Sequence, residues 1–305
     1  DIYTTLIKLI MHIRLIDLQW EGHHTQYVDY ISRYLIDNDH EVTFLTSDQN
    51  PRVDEIRSTH SINVQRVNAT RNHSDGQQNS IVNSAYIRAA HIHNLGRIYY
   101  NLRNKKFDII HFLQYDNTQL SYAVLGKLIQ KAAAGVVMTL HRDVFLNQHT
   151  KDWLCYLSRN VTSSCMNMSF STSSIDYLTV HTSSIKHRIL GGVASANHSN
   201  VGVLPAPTPE PIQNISTTEA RERVNIDTDT HVILFFGQIR HEKGLDRLFA
   251  ALQGSEVKLT LVIAGNPKDY SQDQIATWAQ QTPDSVSVDM RCKYIPEGVV
   301  DIYLS

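Results

Sequence analysis

Val232-Ile233-Leu234-Phe235-Phe236-Gly237-Gln238-Ile239-Arg240-His241-Glu242-Lys243-Gly244-Leu245 is the stretch on which the fold turns. Five apolar residues read as a strand, and the run from Gly244 to Leu252 reads as a helix. Between them two glycines bracket a loop that carries Arg240 and Lys243. A strand that feeds a helix through such a loop sets exposed cations beside a helix N-terminus, and a diphosphate uses both features. A solvated basic turn is the plainer reading of the same residues. The loop is not a P-loop, because it lacks that spacing and the Lys-Ser/Thr ending, and it has no Gly-x-Gly-x-x-Gly.

The alternation continues on both sides of this stretch. After it come a strand at Lys258–Ala264, a helix at Asp273–Gln281, a strand at Val286–Met290 and a helix at Glu297–Leu304. Before it, strands are expected at His12–Leu18, Glu41–Ser47, Ile62–Val67, Asp108–Gln114, Val136–His141, Tyr177–Thr182 and Val201–Leu204. Their β-branched, near-continuous apolar character suits a parallel sheet covered on both faces. The clearest helices between them run over Thr25–Asn38, Asn83–Asn104 and Thr118–Ala133, and Tyr27, Ile31, Tyr34 and Leu35 share one face of the first. Strands alternating with helices give a doubly wound α/β class. Pro205-Ala206-Pro207-Thr208-Pro209-Glu210-Pro211 interrupts the pattern, since proline suits neither a helix interior nor a central strand. The boundary is therefore placed there, with domains at 1–205 and 206–305. From Ile212 only 94 residues remain, which is short for a domain of this class. The sequence is expected to be a fragment, or a partner to supply the missing C-terminal portion.

Bulk composition narrows the function classes. A chain of 305 residues, 42% hydrophobic and 19% charged, has room for two ordinary domains. A net charge of -2 with no Lys/Arg stripe argues against nucleic acid as a partner. Cys155, Cys165 and Cys292 are too few and too scattered for a disulfide scaffold or a zinc site, which makes the cytoplasm the default compartment. The apolar stretch Ile2–Ile16 is interrupted by Lys8, His12 and Arg14. It is too short and polar to span a membrane, while peripheral contact at the inner membrane face stays open.

Three further places carry candidate chemistry. Glu21-Gly22-His23-His24 follows the first strand, where ligands of open α/β sheets bind. Gly22 would let backbone approach a ligand, or it is a plain tight turn. Thr139-Leu140-His141-Arg142-Asp143 ends another strand, and His141 there either meets a ligand hydroxyl or is a satisfied structural histidine. His111, in Asp108-Ile109-Ile110-His111, lines the same cleft or sits in the core. His181 reads as structural. His23, His24, His141 and Asp143 lack any ligand-pair spacing, so no metal is expected.

Together these motifs resemble the retaining glycosyltransferases of the large family 4, glycosyl transferases group 1, which have the GT-B fold of two facing Rossmann-like domains. The resemblance rests on the loop at Gly22, Asp108-Ile109-Ile110-His111, Thr139 to Asp143, Phe235-Phe236-Gly237 through Lys243-Gly244-Leu245, and Leu261-Val262-Ile263-Ala264-Gly265. Ile295-Pro296-Glu297-Gly298-Val299 resembles the segment just ahead of the family's donor-binding acidic motif. The resemblance implies that a nucleoside-diphosphate sugar, UDP- or GDP-linked, binds the C-terminal domain as co-substrate, with no cofactor. The acceptor, a glycan, a lipid-linked group or a small molecule, would sit in the N-terminal domain. Arg240, Lys243 and His141 would be the catalytic residues. Gly22, Gly237, Gln238, Gly244 and Gly265 would be the donor-side residues, and His23, His24, His111 and Asp143 the acceptor or cleft residues.

The sequence also departs from the family. Gln238 stands where an arginine is usual, with Arg240 the nearest cation, and His23 replaces a second glycine. The acidic pair that holds the donor sugar and ribose would lie beyond Ser305. Two other readings follow: a nucleotide-sugar epimerase of GT-B fold, using Asp143 or Glu21 as acid-base, and a non-catalytic module that binds a nucleotide sugar or a partner.

Overall fold

The computed structural model describes residues 10–18, 24–60, 62–69, 81–116, 118–141, 153–206, 215–227 and 229–304. The chain divides into two units, Asp1–Thr208 and Pro209–Ser305. Pro205 and Ala206 end the described part of the first, and the rest of the proline segment lies outside the described residues.

In the first unit the strands are β1 (His12–Ile16), β2 (Glu41–Ser47), β3 (Asn63–Val67), β4 (Phe107–Phe112), β5 (Ala133–Leu140), β6 (Tyr177–Val180) and β7 (Val201–Val203). They form one parallel sheet in the order β3-β2-β1-β4-β5-β6-β7. Leu15 pairs with Phe44 on one side and His111 on the other, so β1 and β4 are neighbours at the point where the strand order reverses. The helices are α1 (His24–Asp37), α2 (Val53–His60), α3 (Ile81–Leu102), α4 (Gln119–Gln130), α5 (Trp153–Ser171) and α6 (Ser183–Gly192).

Alternation along each strand sends successive side chains to opposite faces. Leu15 and Phe44 join a cluster with Tyr27, Val28 and Ile31 of α1 and Val53 and Ile56 of α2. Ile16 and Leu45 join another with Leu95 and Ile98 of α3, Ile129 of α4, Met166 of α5 and Ile189 of α6. Helices thus cover both faces, and the central strands are largely apolar for that reason. Arg14 is the exception in β1. It is fully buried over the Phe107 ring, with Nη2 donating to Gln65 and Asn101, and burial lowers its pKa to about 10.

The second unit repeats the scheme on a smaller scale. It contains α7 (Thr217–Arg223), β8 (His231–Phe236), α8 (Leu245–Leu252), β9 (Leu259–Ala264), α9 (Gln272–Gln280), β10 (Val286–Arg291) and α10 (Glu297–Leu304). Its described sheet is parallel with the order β10-β9-β8. The very apolar β8 lies at the edge and is only partly buried, whereas Leu261, Val262, Ile263 and Ala264 of the central β9 are fully buried. Ser216 and Ser271 cap α7 and α9 by accepting the amides of Glu219 and Gln274. No helix among the described residues is long and apolar enough to cross a membrane.

Candidate functional site

Each unit presents candidate residues at the carboxyl ends of its strands, the edge where open α/β sheets hold ligands. In the second unit the chain leaves β8 through Gly237, whose φ of 91° is in the left-handed region. Gly265 stands at the end of the adjacent β9. A Cβ on Gly265 would lie 1.9 Å from the Gly237 carbonyl oxygen, so the two strand ends approach this closely only because no side chain intervenes. The Gly237 amide donates to the Ala264 carbonyl at 2.9 Å, and the Gly265 amide to that of Arg291 at 3.2 Å.

From there the loop is held by short-range bonds. Ile239 is fully buried, and its amide donates to the Asn266 carbonyl at 3.0 Å. Asp269 accepts the amide of His241 at 3.0 Å, opening a single 3-10 turn over His241–Lys243, and the His241 ring packs edge-on against Tyr270. Gly244, with φ 73°, then redirects the backbone into α8, whose first-turn amides have no partner within the helix. Lys243 folds back across the strand end, and its Nζ donates to the Phe236 carbonyl at 2.9 Å while the side chain stays exposed. Arg240 is a quarter exposed; it donates to the Gln238 side-chain oxygen and, at 3.4 Å, to Glu242. The Nε of Arg240 is buried with no hydrogen-bond partner.

A cavity of about 510 Å3 lies at the end of β10, lined by Gln272, Met290, Arg291, Cys292, Lys293 and Tyr303. Arg291 is braced from three directions, by Asp289, the Tyr303 hydroxyl and the Val224 carbonyl. The Asp289 carboxylate stabilises its charge and raises its pKa further. Burial pushes the Cys292 thiol up, so it stays protonated. None of these residues was named as a site candidate from the sequence, although Arg291 to Lys293 directly follow the expected strand Val286–Met290, where the crevice rule points.

In the first unit His141 follows β5. Its Nε2 meets the Leu113 carbonyl at 2.6 Å, its Nδ1 meets His181 Nε2 at 2.8 Å, and its backbone amide donates to Asp116 at 2.9 Å. His181, read from sequence as structural, is thus joined to a candidate site residue. His111, read from sequence as lining the cleft or sitting in the core, is buried and hydrogen-bonded. Its side chain is 8% exposed, Nε2 is shared with Thr139 at 2.8 Å, and burial lowers its pKa to about 4, leaving it neutral. Helices cover both faces of the sheet at β4, which pairs with β1 and β5, so a side chain at position 111 is buried on the face it takes. Gly22, His23 and Asp143 lie outside the described residues, as does the side chain of His24 at the start of α1. Among the described residues, no group of three or more His, Cys, Asp and Glu is placed to hold a metal ion.

Comparison with known families and structures bears on this geometry. Residues 216–291 match the family profile described as Glycosyl transferases group 1. The match covers β8, the Gly237–Leu245 loop, β9 and β10, so the glycine pair and both loop cations fall inside it. The whole chain has the GT-B fold: two Rossmann-like units, with the second smaller. The catalytic domain of starch synthase IV from Arabidopsis thaliana, bound to ADP and acarbose, superposes with a TM-score of 0.59 at 11% identity, covering 97% of this chain and 76% of that one. HepE of Anabaena, in complex with UDP and glucose, gives 0.55 at 15% identity, covering 96% and 71%. A glycosyltransferase from Rickettsia africae gives 0.54 at 11% identity, covering 96% and 70%. No curated protein sequence matches the chain.

Proposed function

We propose that the protein transfers a sugar from a nucleoside-diphosphate sugar, UDP- or GDP-linked, to a hydroxyl acceptor with retention of anomeric configuration. The observation that carries this reading is the Gly237–Leu245 loop. Two left-handed glycines expose backbone at a strand end, Lys243 and Arg240 stand over it, and the first turn of α8 follows. Such a loop suits a diphosphate, and its cations stabilise the charge that grows there as the glycosidic bond breaks. The open depression at the end of β10 adjoins the same glycine pair through the bond from Gly265 to Arg291. HepE and starch synthase IV were each solved with a nucleoside diphosphate, which supports the same ligand class here. In this reading His141 marks the ligand edge of the first unit. The acceptor is a glycan, a lipid-linked group or a small molecule.

The test is to incubate the protein with UDP-, GDP- and ADP-sugars and an acceptor panel, and to follow transfer by mass spectrometry. Lys243→Ala is expected to reduce transfer by about 100-fold or more with the fold intact, because it removes a charge contact stronger in the transition state. Turnover near that of the parent in this variant would defeat the assignment.

A further inference from the structure

Leu113, His141, His181 and Leu204 form one hydrogen-bonded row across the carboxyl ends of β4, β5, β6 and β7. The contacts are Leu113 carbonyl to His141 Nε2 at 2.6 Å, His141 Nδ1 to His181 Nε2 at 2.8 Å, and His181 Nδ1 to Leu204 carbonyl at 2.9 Å. Both ends of the row are carbonyl oxygens, which only accept. His141 Nε2 and His181 Nδ1 must therefore each carry a hydrogen. A neutral imidazole has only one, so two neutral rings would face each other with a lone pair on each side of the 2.8 Å contact. The row closes only when a third hydrogen lies between the rings.

We propose that His141 and His181 share this third hydrogen, giving the pair one unit of positive charge, and that His181 is the positioning residue that fixes the ring of His141. The proposal rests on the functional reading above for what His141 is positioned to do. Two carboxylates and an aromatic ring lie on the neighbouring elements. Asp116, after β4, holds the His141 amide with its carboxylate, and Asp17, after β1, is buried one strand further along. Tyr27 of α1 stands nearly perpendicular to both rings, with centroids 5.3 and 5.4 Å away, and burial raises the pKa of its phenol, which keeps that group neutral. A nearby carboxylate and an aromatic ring both stabilise an imidazolium. The pairing has a chemical consequence. With both ring nitrogens committed, His141 acts on a ligand through positive charge and not as a general base.

The test uses the full chain labelled with 15N-histidine, observed by long-range 1H–15N correlation from pH 5.5 to 9. The expected result at neutral pH is three ring hydrogens on the four nitrogens of the pair, with the shared one lost as pH rises. In His181→Gln, His141 should return to a single ring hydrogen at the same pH. Two neutral rings with one hydrogen each in the parent protein at pH 7 would overturn the proposal, whether or not any variant folds. Transfer kinetics supply a separate arm. His181→Gln should lower kcat about 10-fold or more and remove the alkaline limb of the pH profile, with little change in KM for the donor. A kcat and pH profile equal to the parent's would overturn the positioning role. Three ring hydrogens with no transfer from any donor would instead refute the proposed function and leave the pair standing.

Discussion

Gly265→Ala is the sharpest perturbation of the strand ends in the second unit. The added Cβ would stand 1.9 Å from the Gly237 carbonyl oxygen and 2.6 Å from its carbonyl carbon, where ordinary contacts begin beyond 3 Å. These are backbone atoms, so a rotamer change gives no relief, and the end of β8 must move by about an ångström. Overpacking of that kind costs about 1–3 kcal/mol. An unfavourable φ, 154° at this position, adds about 1–3 kcal/mol. A combined loss of about 3 kcal/mol in a unit this small corresponds to a Tm lower by about 12 °C or more. The same movement carries the Phe236 carbonyl, which anchors Lys243, so nucleotide binding should weaken as well. Gly254→Ala is the internal control, since a Cβ there meets nothing within 4 Å, and its Tm should stay within about 2 °C of the parent. The assay is thermal unfolding of both variants alongside UDP and GDP titration by calorimetry. A Gly265→Ala protein that melts like the control and binds nucleotide like the parent would refute the claim that the close approach of the two strand ends requires a glycine at 265.

Other outcomes follow from single contacts. His111 is buried with its pKa lowered to about 4, so the unfolded chain takes up its proton first as pH falls. Its contribution is whole above pH 6.5 and is lost progressively toward pH 4, on the order of 3 kcal/mol. His111→Gln should flatten the dependence of the urea midpoint on pH across that window. Asp269→Ala removes the acceptor for the His241 amide and should cost about 1 kcal/mol, read as a lower urea midpoint with an unchanged slope. Gln238→Ala frees the Arg240 guanidinium from its neighbour. It should raise KM for the donor several-fold while leaving Tm within about 2 °C, as steady-state kinetics and a melt would show.

Much of the architecture was legible because its signal is local. Apolar, β-branched runs marked the ten strands found among the described residues to within a few residues, most clearly where a strand is covered on both faces. Three of the helices that frame the sheet, α2, α5 and α6, were not marked. Their sequences, such as Val53-Asp54-Glu55-Ile56 and Ser183-Ser184-Ile185-Lys186, present too narrow an apolar stripe to stand out without the sheet they cover. The order of strands in the second unit was not legible either. β8 is the more conspicuous apolar run, yet β9 is central, because a sheet's edge is decided by which neighbours pair and not by hydropathy.

By itself the sequence determined that this is a two-part α/β chain with a glycine-bracketed cationic loop after a strand, since strand, turn and loop chemistry are written in adjacent residues. Tertiary structure alone decided what that loop rests on and which histidines meet. Gly265 meets Gly237 only because parallel pairing of β8 with β9 brings the two strand ends into register. His141 meets His181, 40 residues away, because β5 and β6 end side by side. Residue 111 is buried because helices, remote in sequence, cover both faces of the sheet. Such contacts join residues far apart in the chain, and their physical cause is strand register.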